Sequence, residues 1–199
     1  GAPSGETGRD GGGMAGAGRP VPACLLLGAA GGGKSLLARR LRHIRRDDGT
    51  GRGVRQSGVP GGQRGHVGTN LTDLRLPRKV TVRELGGCMG PIWPSYYDEC
   101  SALLFVVDAA NPTQVSASCV QLLSVLTAAP LAAVPVLVLF NKIDLPCYMS
   151  LAEMKSLFRM QDIVSCATQP ITMLETSARD GTGVADVLQW LRATLGDPR

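Results

Sequence analysis

Aromatic side chains are scarce, at 4% of the 199 residues, and the Arg-rich stretch between Arg39 and Arg64 contains none. A single-stranded nucleic-acid surface needs rings interleaved with its cations, so that function is disfavoured. The six cysteines form no C-x-x-C pair and have no histidine cluster beside them, which argues for reduced thiols rather than a zinc site or a disulfide framework. The longest apolar runs are strand-sized, too short for a transmembrane helix. Residues 1–19 are Gly-rich and hold no apolar core of a signal peptide, and neither Gly1 nor Met14 opens a myristoylation signal. Together these absences lead us to expect a cytoplasmic protein without a stable membrane anchor. Acidic residues are also in deficit, giving a net charge of +5. Leu37, Leu41 and Ile44 at helical spacing would face inward and leave Arg39, Arg42 and Arg46 solvated, with Arg45 and Arg46 matching the helix dipole. A basic patch for anionic lipid or a protein partner is the other reading of the same residues.

The length suits one α/β domain with tails. Residues 1–19 read as a disordered tail, 20–196 as the domain, and 47–65, rich in Gly and Arg without periodicity, as a flexible insert. Apolar runs at Val21–Leu27, Ala102–Val107 and Val134–Phe140 alternate with helical patterns, including Thr113–Ala128, Leu151–Phe158 and Val184–Leu195. Asn70–Leu76 and Lys79–Glu84 read as a strand pair turning at Pro77-Arg78. Trp93–Glu99 reads as a short helix, and Ile171–Glu175 as a last strand. Uninterrupted apolar strands between helices predict a doubly wound, mostly parallel sheet covered on both faces.

The first turn carries chemistry. Gly28, Ala29, Ala30, Gly31, Gly32, Gly33, Lys34 and Ser35 fit G-x-x-x-x-G-K-S/T, placed between a strand and a helix. Such a loop wraps backbone N–H groups around a polyphosphate at a helix N-terminus. Lys34 would reach the β and γ phosphates, and the Ser35 hydroxyl would ligate Mg²⁺.

A parallel sheet binds ligands at the carboxyl ends of its strands, where two further groups fall: Asn141-Lys142-Ile143-Asp144 and Thr176-Ser177-Ala178. Here the chain resembles the Ras-superfamily GTPases, whose N-K-x-D and S-A motifs read guanine. Glu84-Leu85-Gly86-Gly87, followed by Trp93, Tyr96 and the run Leu104–Asp108, is similar to the Arf-like branch. The resemblance covers about Val21–Leu195 and implies a P-loop GTPase G domain, an α/β fold with a mostly parallel six-stranded sheet and helices on both faces. It implies GTP/GDP and Mg²⁺ as cofactors. Asp144 would accept from guanine N1–H and its 2-amino group, Asn141 would brace the loops, Lys142 would lie across the ring, Ser177 would support the site, and the Ala178 N–H would meet O6. Gly87, or Gly86, would sense the γ-phosphate, Glu84 would hold Mg²⁺ through water, and Trp93 and Tyr96 would lie on an effector surface. Effectors, an exchange factor and a GTPase-activating protein are the implied partners of a monomer.

Three positions depart from that pattern. Glu84 replaces an Asp, Cys88 replaces the Gln that orients the attacking water, and His66 stands where a Thr hydroxyl would meet Mg²⁺. A thiol orients water poorly, so no catalytic residue is assigned. The expectation is a guanine-nucleotide switch with slow or partner-dependent hydrolysis. A non-hydrolysing scaffold is the alternative, and an ATP-dependent kinase is opposed by Asp144.

Overall fold

Long runs of Leu and Val with no polar interruption can be buried on both sides only inside a covered sheet, and those runs form its centre. The computed structural model describes residues 21–44, 69–146 and 149–196. The predicted tail, the 47–65 insert, Arg45, Arg46 and His66 lie outside the described residues. In chain order come β1 (Ala23–Gly28), α1 (Lys34–Ile44), β2 (Thr69–Leu76) and β3 (Arg78–Leu85). A 3₁₀ segment (Gly87–Glu99), β4 (Cys100–Asp108), α2 (Val115–Leu126) and β5 (Val136–Asn141) follow. The chain closes through α3 (Leu151–Phe158), α4 (Met160–Cys166), β6 (Ile171–Glu175) and α5 (Val184–Leu195).

The strand order is β2-β3-β1-β4-β5-β6, and among the described residues β2 is the one antiparallel member. Alternation along β4 divides the core. Leu103, Phe105 and Val107 pack on the α2–α3 side with Leu122 and Phe158, whereas Ala102, Leu104 and Val106 pack on the α1–α5 side with Leu37 and Leu191. On α1, Leu37, Ala38 and Leu41 are buried and Arg39 and Arg42 are exposed, as the solvated-face reading requires. No helix among the described residues is long and apolar enough to cross a membrane.

α3, β6 and α5 have the bounds read from the sequence. The expected helix at Trp93–Glu99 is instead a 3₁₀ segment that starts six residues earlier, at Gly87. It contains Pro91 and Pro94, whose missing N–H groups prevent a continuous α-helical ladder. The helix expected from Thr113 begins at Val115, after a 3₁₀ turn over Pro112–Gln114. The sequence reading does not find α4, because Arg159 ends α3 in a left-handed conformation (φ 50°) without the glycine that marks such a turn.

Candidate nucleotide-binding site

Because β1, β4, β5 and β6 are parallel, the loops after them open on one edge of the sheet. The Gly28–Ser35 loop follows β1, Asn141–Asp144 follows β5, and Thr176–Ala178 follows β6. Asn141, only 1% exposed, joins the three. Its Nδ2 donates to Gly32 O at 2.8 Å, while Oδ1 accepts from Thr176 Oγ1 and from the Ala178 N–H, each at 3.1 Å. The fit leaves no room at Gly33, where a Cβ would lie 2.4 Å from Asn141 Nδ2 and where φ is +94°.

The phosphate loop is closed around its lysine. Lys34, at 5% exposure, donates from Nζ to Gly28 O at 2.9 Å and Ala29 O at 2.7 Å. Burial lowers its pKa, and the nearby Glu84 carboxylate opposes that shift. Among the described residues it has no carboxylate ion-pair partner. A cation held this way is well suited to a polyphosphate.

Ser35 Oγ donates to Glu84 Oε1 at 2.5 Å. The extra methylene of Glu84 therefore does not separate the carboxylate from the loop. A hydroxyl that gives its proton to a carboxylate keeps its lone pairs for a cation, and both groups are the hard oxygens that Mg²⁺ selects. The residues present fit the ion. Among the described residues, no group of three or more His, Cys, Asp or Glu could hold a metal by protein ligands alone.

On the base side, Ser177 Oγ donates to Asp144 Oδ1 at 2.7 Å. Lys142, at φ 69°, places Nζ 2.8 Å from Asp108 Oδ2, and Asp108 Oδ1 accepts from the Ala110 N–H at 3.0 Å. Asp108, buried at the end of β4, thus anchors the lysine expected to lie along the base. The Ala178 N–H, expected to meet guanine O6, donates to Asn141 Oδ1.

Gly87 packs on the phosphate loop so closely that a Cβ would lie 2.1 Å from Ala30 N. Cys88 beside it is exposed. Trp93 does not lie on a surface. It is 3% exposed, its indole N–H donates to Gly86 O at 3.1 Å, and its ring joins the core with Leu25 and Leu85. A large apolar ring with a polar handle gains more there than in water. Tyr96 is half-buried, with the Arg83 guanidinium 5.2 Å from its ring centroid. Sequence reasoning assigns no site role to Asp108, Thr176 or Arg40. Asp108 is signalled by its place at the end of an apolar strand and Thr176 by its place in the Thr176-Ser177-Ala178 group, but Arg40 carries no local pattern.

Comparison with known proteins agrees with this geometry. The sequence model of the ADP-ribosylation factor family matches residues 66–195. The human ADP-ribosylation factor-like protein 16 is 62% identical over 171 residues, covering 86% of this chain and 85% of that protein. ADP-ribosylation factor-like protein 3 of Chlamydomonas reinhardtii is 31% identical over 127 residues, covering 62% of this chain and 70% of that one. Among solved structures, the Arl6 BBS3 small GTPase of Trypanosoma brucei, with the nucleotide analogue GppNp bound, superposes with a TM-score of 0.71 at 19% identity. That match covers 88% of this chain and 98% of the other. With the family matched over most of its length and the fold shared, the chain belongs to the ADP-ribosylation factor family, in its Arf-like branch of small GTPases.

Proposed function

We propose that this chain is a GTP/GDP-dependent molecular switch that binds nucleotide firmly and hydrolyses GTP slowly unless a partner completes the site. The observation carrying the binding half is Asn141, which ties the phosphate loop to both base-reading loops and so presets one continuous cleft. Lys34 would neutralise the phosphates, Ser35 and, through water, Glu84 would hold Mg²⁺, and Asp144 would select guanine by accepting from N1–H and the 2-amino group. Mg²⁺, when bound, offsets charge on the β and γ phosphates. Gly87, packed against Ala30 of the phosphate loop, would sense a γ-phosphate through its backbone.

The hydrolytic half rests on Cys88. An exposed thiol is a weak donor and acceptor, so the attacking water lacks the amide that would orient it. Effectors and regulators would read the 3₁₀ segment, whose first residues touch the phosphate loop and whose Trp93 is tied to Gly86. A cytoplasmic setting accords with the free thiols at Cys24, Cys88, Cys100, Cys119 and Cys166.

Two measurements test the proposal. Competition against labelled GDP should show ADP displacing it far less well than GTP does, and equal displacement would refute the role of Asp144. Single-turnover hydrolysis should be very slow and should rise in Cys88→Gln, while a fast rate in the unmodified protein would refute the role of Cys88. For the switch itself, hydrogen exchange over residues 65–97 should differ between GDP and a non-hydrolysable GTP analogue. Identical protection would favour a scaffold.

A further inference from the structure

No charged residue occurs between Ala109 and Asn141, and among the described α-helices α2 alone carries none. Its inward side is buried, yet its outer side presents Val120 at 67% exposure and Leu123 at 42%, flanked by exposed Ser116, Ala117, Ser124 and Thr127. Ser116, Val120, Leu123 and Thr127 follow one another at spacings of four, three and four residues, so they form one stripe along the helix. The stripe reads the same in both directions: hydroxyl, apolar, apolar, hydroxyl. When two such helices pack antiparallel about a two-fold axis, Val120 meets Leu123 of the second copy and Ser116 meets Thr127 of the second copy. Thr127 Oγ1 donates to Leu123 O at 2.9 Å, which leaves its lone pairs to accept from the Ser116 hydroxyl of the second copy. Ala117 and Ser124, beside the stripe, are short enough to let the two axes approach.

We propose that the outer face of α2 is the contact between two copies of this chain in a weak, reversible dimer. Charge favours that occupant. A charged partner surface would have to shed water from ions that find no counter-charge on α2, whereas a second copy brings an equally neutral face. Each chain has a net charge of +5, and the exposed Arg39 and Arg42 stand on α1, on the opposite side of the sheet from α2, so the two-fold contact keeps like charges apart. Area sets the strength. At about 35 Å² per interface residue, α2 and the uncharged loops beside it bury about 400 Å² a copy, or about 800 Å² in total. A stable interface needs about 1,200 Å² or more, so this contact is transient, half-formed at about 0.1 mM. The dimer departs from the monomer that the family resemblance implies, and it does not depend on the nucleotide site.

Sedimentation equilibrium of the full chain is the test. The mean mass should climb from 20.8 kDa toward twice that value as concentration passes about 0.1 mM, and added salt should not weaken the association. A mass that stays at 20.8 kDa up to about 1 mM would overturn the proposal, and so would loss of the dimer in salt, which marks ion pairs. Val120→Glu and Leu123→Arg change exposed positions, so each variant should fold, and each should weaken self-association by at least about tenfold. Mixed in equal amounts, the two variants should associate again, because the antiparallel pairing sets the new carboxylate against the new guanidinium. Variants that dimerise as well as the unmodified chain, or a mixture that stays monomeric, would overturn the pairing. Capture of a monomeric chain by phosphatidylcholine vesicles, abolished in Val120→Glu, would give the face to a membrane and overturn the second copy.

Discussion

Replacing Asn141 by Ala isolates what holds the cleft together. The substitution removes one donor, to Gly32 O, and one acceptor shared by Thr176 Oγ1 and the Ala178 N–H. The Thr176 hydroxyl can rotate to another acceptor, but Gly32 O and the Ala178 N–H are fixed by the backbone, and both residues are buried. A buried polar group left unpaired costs about 1–3 kcal/mol, so two cost about 2–6 kcal/mol before relaxation. Water entering the vacated space brings the expectation to about 2–4 kcal/mol. Urea unfolding in saturating GDP measures this loss, and stopped-flow release of a fluorescent GDP measures the accompanying loss of affinity, expected to be at least about tenfold. Thr176→Val, which deletes only one partner, should cost less than about 1.5 kcal/mol in the same assay. A loss below about 1 kcal/mol in Asn141→Ala, with unchanged GDP release, would refute the account of Asn141 as the joint of the site.

Glu84→Asp restores the residue usual in the family but withdraws the carboxylate by about 1.5 Å, so the 2.5 Å bond to Ser35 is lost. Mg²⁺ affinity, read by titration of the GDP complex, should fall about tenfold, and tighter Mg²⁺ binding would refute the fit. Exposed Cys88 and Cys166 should react with a thiol reagent in the native state within minutes, and buried Cys24 and Cys100 only after unfolding; rapid modification of all four would refute the burial assignments. Burial pushes the Cys100 thiol from 9.0 to about 11. Between those values the unfolded chain has released a proton that the folded chain retains, so stability is full below pH 9 and declines as pH rises toward 11. The loss is about 2–3 kcal/mol, and Cys100→Ala should flatten that part of the urea-midpoint profile. Trp93→Phe keeps most of the buried ring and removes one of the two donors to Gly86 O, which still accepts from the Met89 N–H, so it should cost no more than about 1 kcal/mol by the same unfolding measurement.

What is legible in the sequence and what is hidden divide along a physical line. The apolar runs in β1, β4 and β5 announce a covered parallel sheet by composition alone, and the spacing of Val184, Val187, Leu188 and Leu191 announces α5, all four of them buried. The phosphate loop and the Asn141–Asp144 group are local patterns at strand ends, and the fold brings them together where a parallel sheet must. Contacts formed only across the fold are invisible. Arg40 meets Ala178 over 138 positions, and Lys142 meets Asp108 over 34. Neither bond leaves a periodic trace in the chain. Trp93 is misplaced by sequence reasoning for a related cause: an indole suits a surface or a core equally, and only the position of Gly86 O decides between them.

The two departures on either side of Gly86-Gly87 have unequal consequences. At Glu84 the chemistry is kept and the length is changed. A carboxylate is still a carboxylate, and the 2.5 Å bond to Ser35 shows that the end of β3 places the longer side chain to suit. At Cys88 the side chain is of a different chemical kind. A thiol cannot offer a carbonyl to accept from water and an amide to donate to a phosphate at once, and no shift of backbone supplies what the side chain lacks. Geometry can absorb a methylene because strand ends move by fractions of an ångström, whereas it cannot create a hydrogen-bonding group. Binding and turnover are therefore separable in this chain. The groups that would grip nucleotide are mutually bonded and wholly or partly buried, while the position that would time its hydrolysis is an exposed thiol, open to completion by a side chain from a partner.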